Sequence, residues 1–173
     1  IIKKAKIRKD KKLELYGKCL TSEFIKEIIH LEFLKGGCFS EYSVVSCGKE
    51  TADPHCYGKG SLFANQPIII DIFPRSSQNR YFSDMTRTAV RGKASGKIKK
   101  IYETVLAGQK LALSKIKAGV KGNYIHKLAQ DYFTNHGYAT GEKNGAVYGF
   151  IHGTGHGVGF DIHELPSLSA GDE

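Results

Sequence analysis

The chain has 173 residues, a formal net charge of +9, 40% hydrophobic residues and no tryptophan. That length suits one domain-sized core, and no apolar run approaches the roughly 18 residues that a membrane-spanning helix requires. The basic runs Lys3–Lys12 and Arg91–Lys100 lack the interleaved aromatic platforms of single-strand binders, so they read as solvated faces and not as a nucleic-acid site.

Ile1-Ile2 ends at Lys3, which is too short for a signal peptide. Thr21-Ser22 is a helix N-cap signal. Phe24, Ile25, Ile28, Ile29, Leu31 and Phe33 recur near helical spacing up to the stop at Gly36-Gly37. Tyr42–Cys47 reads as a strand. Gly48–Asn65 is mostly loop and contains His55. Ile68–Phe73 is a β-branched strand interrupted by one acid, Asp71. Pro74–Asn79 has turn composition, and Tyr81–Val90 reads as a second strand carrying Asp84. Gly96–Gly119 predicts a long amphipathic helix with Ile98, Ile101, Tyr102, Val105, Leu106, Leu111, Leu113 and Ile116 as its buried stripe. A second helix starts at Tyr124 and ends near Gly137, with His126 on its surface. His30 and His136 read as structural. Strands and helices in this order give an α+β chain.

The run from His152 to Glu164 reads His-Gly-Thr-Gly-His-Gly-Val-Gly-Phe-Asp-Ile-His-Glu. Histidine is the commonest metal ligand and the proton carrier nearest neutral pH. Alternating glycines let other atoms approach the backbone. His152 and His156 have the spacing of two zinc ligands on one helical face, but the zincin pattern places a glutamate where Gly153 stands. Each glycine would cost a helix about 1 kcal/mol, so a strand or extended loop is expected. The bland alternative is a glycine-rich turn with surface histidines.

A hairpin centred near Ser77 and Gln78 would set Asp71 opposite Asp84. Directly paired residues have Cβ atoms about 4.5–5.5 Å apart, and two carboxylates that close repel unless a cation lies between them. The alternative is one acid capping a loop while the other pairs with Arg75, Arg80 or Arg87. Cys19, Cys38, Cys47 and Cys56 lack paired metal spacing and read as reduced thiols, which suits the cytoplasm.

Asp71, Asp84 and the His152–Glu164 run, in that order, resemble the pita-bread metallopeptidases. The wording of the histidine run, and of the Asp-Met-Thr-Arg-Thr that follows the first acid and begins at Asp84, is closer to Xaa-Pro aminopeptidases and prolidases than to methionine aminopeptidases. Ala52-Asp53-Pro54-His55 resembles the family's upstream histidine segment. The resemblance implies an α+β pita-bread (creatinase/aminopeptidase-like) fold, with residues 1–173 forming part of one catalytic domain. It implies two divalent metal ions, Mn²⁺ above all and otherwise Co²⁺ or Zn²⁺. Asp71, Asp84 and His156 match three metal ligands, with Asp84 bridging. The family's remaining two ligands are glutamates that would follow Glu173, and the spacing from Asp71 to Asp84 is two residues longer than in many members. The expectation is therefore a domain incomplete at its C-terminus and inactive by itself. In the complete domain a metal-bridging hydroxide would attack the peptide bond before proline. His163 would stabilise the oxyanion, while His55 and His152 would orient substrate or relay protons. The implied partner is a peptide with proline at its second position, with no nucleic acid or membrane involved and a homodimer as the assembly the family allows. A methionine aminopeptidase and a non-catalytic pita-bread binding module are the alternatives.

Overall fold

Three successive isoleucines make Ile68–Ile72 a strong strand former, and this segment is the central strand of an antiparallel sheet. The computed structural model describes residues 1–171. Asp172 and Glu173 lie outside the described residues. The chain divides into two units, Ile1–Gly96 with Val158–Ile162, and Lys97–Gly157 with the residues from His163 onward.

The first unit begins with a small meander of β1 (Lys6–Ile7), β2 (Leu13–Leu15) and β3 (Lys18–Cys19). Helix α1 (Ser22–Lys35) follows. The Thr21 hydroxyl accepts a hydrogen bond from the Phe24 amide at 3.2 Å, satisfying one of the helix's unpaired N-terminal donors. Gly36 caps the other end, and Gly37 turns the chain at φ +69°. Strand β4 (Cys38–Phe39) leads to β5 (Val44–Cys47), a 3-10 turn at Gly48–Ala52, β6 (Ile68–Ile72), β7 (Arg75–Ser76) and β8 (Met85–Ala89). The main sheet runs β5-β6-β8, and β4 pairs with β7.

Helix α1 packs on β5. The core of this unit gathers Ala5, Leu13, Leu20, Ile25, Val45, Leu62, Ala64 and Ile68. Each large member stabilises the fold by about 1.5–3 kcal/mol through its burial.

The hairpin register differs from the expectation. Asp71 pairs with Thr86, and Ile72 with Met85. Arg75 bridges Phe82 inside the same hairpin. The turn is centred one residue later than the composition of Pro74–Asn79 suggested, and each one-residue move of the centre shifts a cross-strand partner by two. Asp84 consequently precedes β8 and is not directly opposite Asp71. A shift of two keeps pleat parity, so both acids retain the same side assignment.

In the second unit, α2 (Gly96–Lys115) and α3 (Gly122–Asn135) lead to the hairpin of β9 (Gly141–Lys143) and β10 (Ala146–Tyr148), then β11 (Gly155–Gly157) and β12 (Glu164–Leu168). Helix α2 starts as expected but buries a different face. Its buried residues are Thr104, Gly108 and Ala112. Ile101, Tyr102, Val105, Leu113 and Ile116 are exposed, Leu113 by 61%. The small side chains at four-residue intervals leave room for Phe133 and Tyr132 of α3 to approach Gly108. Shape complementarity between the helices therefore selected the small stripe over the larger apolar one. His126 also departs from expectation. It follows the same face as Ala129 and Phe133, three and seven residues on, and is buried with them.

Candidate active site

Asp71 lies in the middle of the first unit's sheet, flanked by Val44 on one side and Thr86 on the other. A carboxylate among apolar strand residues needs compensation. The Thr86 hydroxyl donates to Asp71 Oδ1 at 2.6 Å. The nearby arginines are engaged elsewhere. Arg75 Nε donates to the Arg80 carbonyl at 2.8 Å and its guanidinium lies over Phe82, while Arg87 donates to the Thr86 carbonyl. Asp84 is exposed, immediately before β8.

His55 stands out on the loop after the 3-10 turn, with its side chain 94% exposed. Its backbone amide donates to Asp53 Oδ1 at 2.8 Å, which shapes the Asp-Pro-His turn. Nearby, Tyr42 meets Tyr57 edge-on at 4.8 Å and Phe73 at 4.9 Å. Burial first, then the neighbouring Tyr57 and the charges of Glu41 and Asp71, push the Tyr42 phenol above its usual range. The negative charge of Asp71 is thus felt at an aromatic corner that no sequence periodicity marks.

Residues 158–162 of the histidine run pack with the first unit. Gly159 O accepts from the Phe82 amide at 2.8 Å, and Phe160 lies 4.5 Å from Tyr81. The three histidines belong to the second unit. His156 lies in β11 opposite Ser167 of β12, as the extended reading of this segment anticipated, with a register irregularity at Gly157. A Cβ on Gly157 would stand 2.9 Å from Glu164 O, so only glycine lets the two strands approach here.

His156 Nδ1 donates to Gly157 O at 3.0 Å. His152 Nδ1 donates to Gly153 O at 2.8 Å. A backbone acceptor on Nδ1 selects the tautomer whose Nε2 carries the lone pair, the state a metal or a proton acceptor needs. The rings of His156 and His163 meet edge-on at 4.3 Å.

Among the described residues, no group of three or more His, Cys, Asp or Glu side chains comes together as a metal-binding cluster. By type alone, carboxylate oxygen and neutral imidazole nitrogen are donors that suit a divalent ion. Asp71 and Asp84 offer hard oxygen, and His156 offers a nitrogen of fixed tautomer.

His126 was missed as a contributor. Its Nδ1 lies 3.1 Å from Thr154 Oγ1, inside the histidine run. Burial first, then the charge of His152, lowers its pKa below the usual imidazole value. The spacing to Ala129 and Phe133 was the available signal.

The family model that matches this chain is described as metallopeptidase family M24 and covers residues 4–173. Over 132 residues the chain is 34% identical to the Xaa-Pro dipeptidase of Pyrococcus furiosus, covering 76% of this chain and 35% of that protein. Among solved structures it is similar to the prolidase from Pyrococcus furiosus, with TM-score 0.76 and 30% identity over 88% of this chain and 43% of that one. It is also similar to the X-Pro aminopeptidase from Thermotoga maritima, with TM-score 0.75 and 27% identity over 88% of this chain and 42% of that one. The chain thus spans about a third of the length of the curated relative it matches. Its mixed helix and strand architecture is the pita-bread fold, over the part of that fold the chain covers.

Proposed function

The chain belongs to metallopeptidase family M24, and on that premise we propose that the whole protein hydrolyses Xaa-Pro peptides, releasing the residue that precedes proline. The observation that carries this reading is the 34% identity to an Xaa-Pro dipeptidase. Asp71, Asp84 and His156 supply oxygen, oxygen and nitrogen donors in the family's order.

In this reading Asp71, Asp84 and His156 hold divalent metal ions, two per site, with Mn²⁺ the best match to an oxygen-rich donor set. When bound, such metals acidify water and polarise the scissile carbonyl. The remaining work falls to the chain's own side chains. Thr86 orients the Asp71 carboxylate by donating to Oδ1. Gly157 O holds the His156 ring in the tautomer that ligation requires. His163 donates a hydrogen bond to the oxygen that gains charge as the carbonyl is attacked. His152 and His55 orient the peptide and carry protons.

No helix among the described residues is long and apolar enough to cross a membrane, and the four cysteines are free thiols. The free thiols support the cytoplasm as the setting.

The test is metal content of the full-length protein together with cleavage of Xaa-Pro peptides in added Mn²⁺. Close to two metals per chain, with release of the N-terminal residue, is the expected result. Absence of both metal and cleavage overturns the reading and turns the search to protein partners.

A further inference from the structure

The second unit buries an imidazole that this peptidase reading leaves unused. His126, on α3, is only 7% exposed. Its ring stacks on Phe150 at 5.4 Å and 25°. Phe150 in turn meets His152 edge-on at 5.0 Å and Phe133 at 5.0 Å. At the other edge of the His126 ring, Nδ1 reaches Thr154 Oγ1. The Thr154 amide donates to Leu168 O at 2.7 Å, so the threonine is also tied to β12. The Phe150 backbone is held independently, since Thr140 Oγ1 accepts from its amide at 3.0 Å and donates to its carbonyl at 3.1 Å.

One ring therefore touches the chain on both sides of His152. A histidine is an expensive way to fill an apolar site, because each buried ring nitrogen left without a partner costs about 1–3 kcal/mol. Leucine or phenylalanine would pack there without that cost. What histidine adds is the polar contact to Thr154, midway between His152 and His156 in the sequence.

We infer that His126 is a positioning residue. Through its contact with Thr154 and its stack on Phe150, it sets the orientation of the segment that carries His152 and leads into β11 with His156. It touches no reacting group. Its effect on turnover rests on the peptidase reading above, whereas its effect on the two histidine rings does not.

The test uses three substitutions in the full-length protein. His126→Asn keeps a polar atom where Nδ1 stands, His126→Phe keeps an aromatic face without the polar contact, and Thr154→Val removes only the hydroxyl. The first measurement is hydrolysis of Ala-Pro at saturating Mn²⁺. His126→Phe and Thr154→Val should each lower kcat by roughly 10-fold or more, the usual effect of losing an outer-shell partner. The double variant should be no worse than the poorer single one, since both remove one contact. His126→Asn should retain kcat within about threefold, because the polar partner survives. Wild-type kcat in His126→Phe, multiplying losses in the double variant, or equal losses in His126→Asn and His126→Phe would each overturn the inference.

The second measurement is ¹⁵N NMR of the histidine rings before metal is added. The His152 and His156 signals should move in Thr154→Val and in His126→Phe and hold in His126→Asn, with those of His30 and His136 unchanged. Unmoved His152 and His156 signals in Thr154→Val overturn the inference. A wild-type protein that cleaves no Xaa-Pro peptide defeats the peptidase reading alone, and the ring signals then decide the positioning role by themselves.

Discussion

Replacing Gly58 with alanine should separate two costs that usually arrive together. Gly58 is buried on the loop that follows His55. This loop is stitched to the sheet and to α1. The Val45 amide donates to Tyr57 O at 3.1 Å, and Lys26 Nζ donates to Gly58 O at 2.8 Å. The backbone at Gly58 has φ +74°, and an added Cβ would stand 2.5 Å from the Val45 carbonyl carbon and 2.8 Å from Ser46 Cα. The left-handed backbone costs alanine about 1–2 kcal/mol. Forcing a methyl group against strand backbone that cannot swing aside adds about 1–3 kcal/mol. The sum, about 2–5 kcal/mol, is a large part of the roughly 5–15 kcal/mol that holds a domain folded. For a chain of this size it corresponds to a fall in Tm of about 4–20 °C. The control is Gly60→Ala. Gly60 has φ +69° but nothing within 4 Å of its added Cβ, so it carries the backbone cost alone. Thermal and urea unfolding followed by circular dichroism would compare the two. Gly58→Ala should be the less stable of the pair by the steric difference. Equal midpoints for the two variants would refute the reasoning, because the close approach to β5 would then contribute nothing.

Ile68→Ala, in the central strand and fully buried, should cost about 2–5 kcal/mol in urea unfolding, because a methyl group cannot refill the cavity; a loss under about 1 kcal/mol would mean the site collapses freely. Asp84→Asn in the full-length protein should abolish most Xaa-Pro cleavage while leaving Tm nearly unchanged, as Asp84 is an exposed residue outside the strand; undiminished turnover would remove it from the metal set. The 173-residue chain by itself should show no metal-dependent Xaa-Pro cleavage, since it supplies only three of the expected ligands; turnover above the peptide blank would contradict this. The Glu23 carboxylate is held below its ordinary value of 4.5, chiefly by the Gly60 amide, which donates to both of its oxygens at 2.9 and 3.1 Å. The folded state therefore prefers the ionised form. That stabilisation is present above pH 4.5 and is lost as the pH falls through the lower folded value. Glu23→Gln should flatten this acid limb of the stability curve, and identical limbs in the two proteins would count against the linkage.

Elements with local causes were legible in the sequence. The Thr21 cap, the glycine stop after Lys35 and the isoleucine run at Ile68 act through near neighbours along the chain. The fold class and the helix and strand segments follow from them. The glycines around His156 likewise excluded a helix there, and the structure has a strand. Asp71, Asp84 and His156 were proposed as ligands from residue type and order alone, because a donor atom is a property of the residue.

Partners across the fold were not legible, because they depend on atoms far away in sequence. A turn centred one residue later gives Asp71 the hydroxyl of Thr86 in place of Asp84. The apolar stripe of α2 predicted which side chains could be buried, whereas the fit of Phe133 against Gly108 decided which side was. His126 looked like one more surface histidine until α3 packed. Burial then turned its ring inward to Thr154 and Phe150. Periodicity states only that a helix has two faces. Tertiary packing chooses between them, because the free energy of a face depends on what meets it.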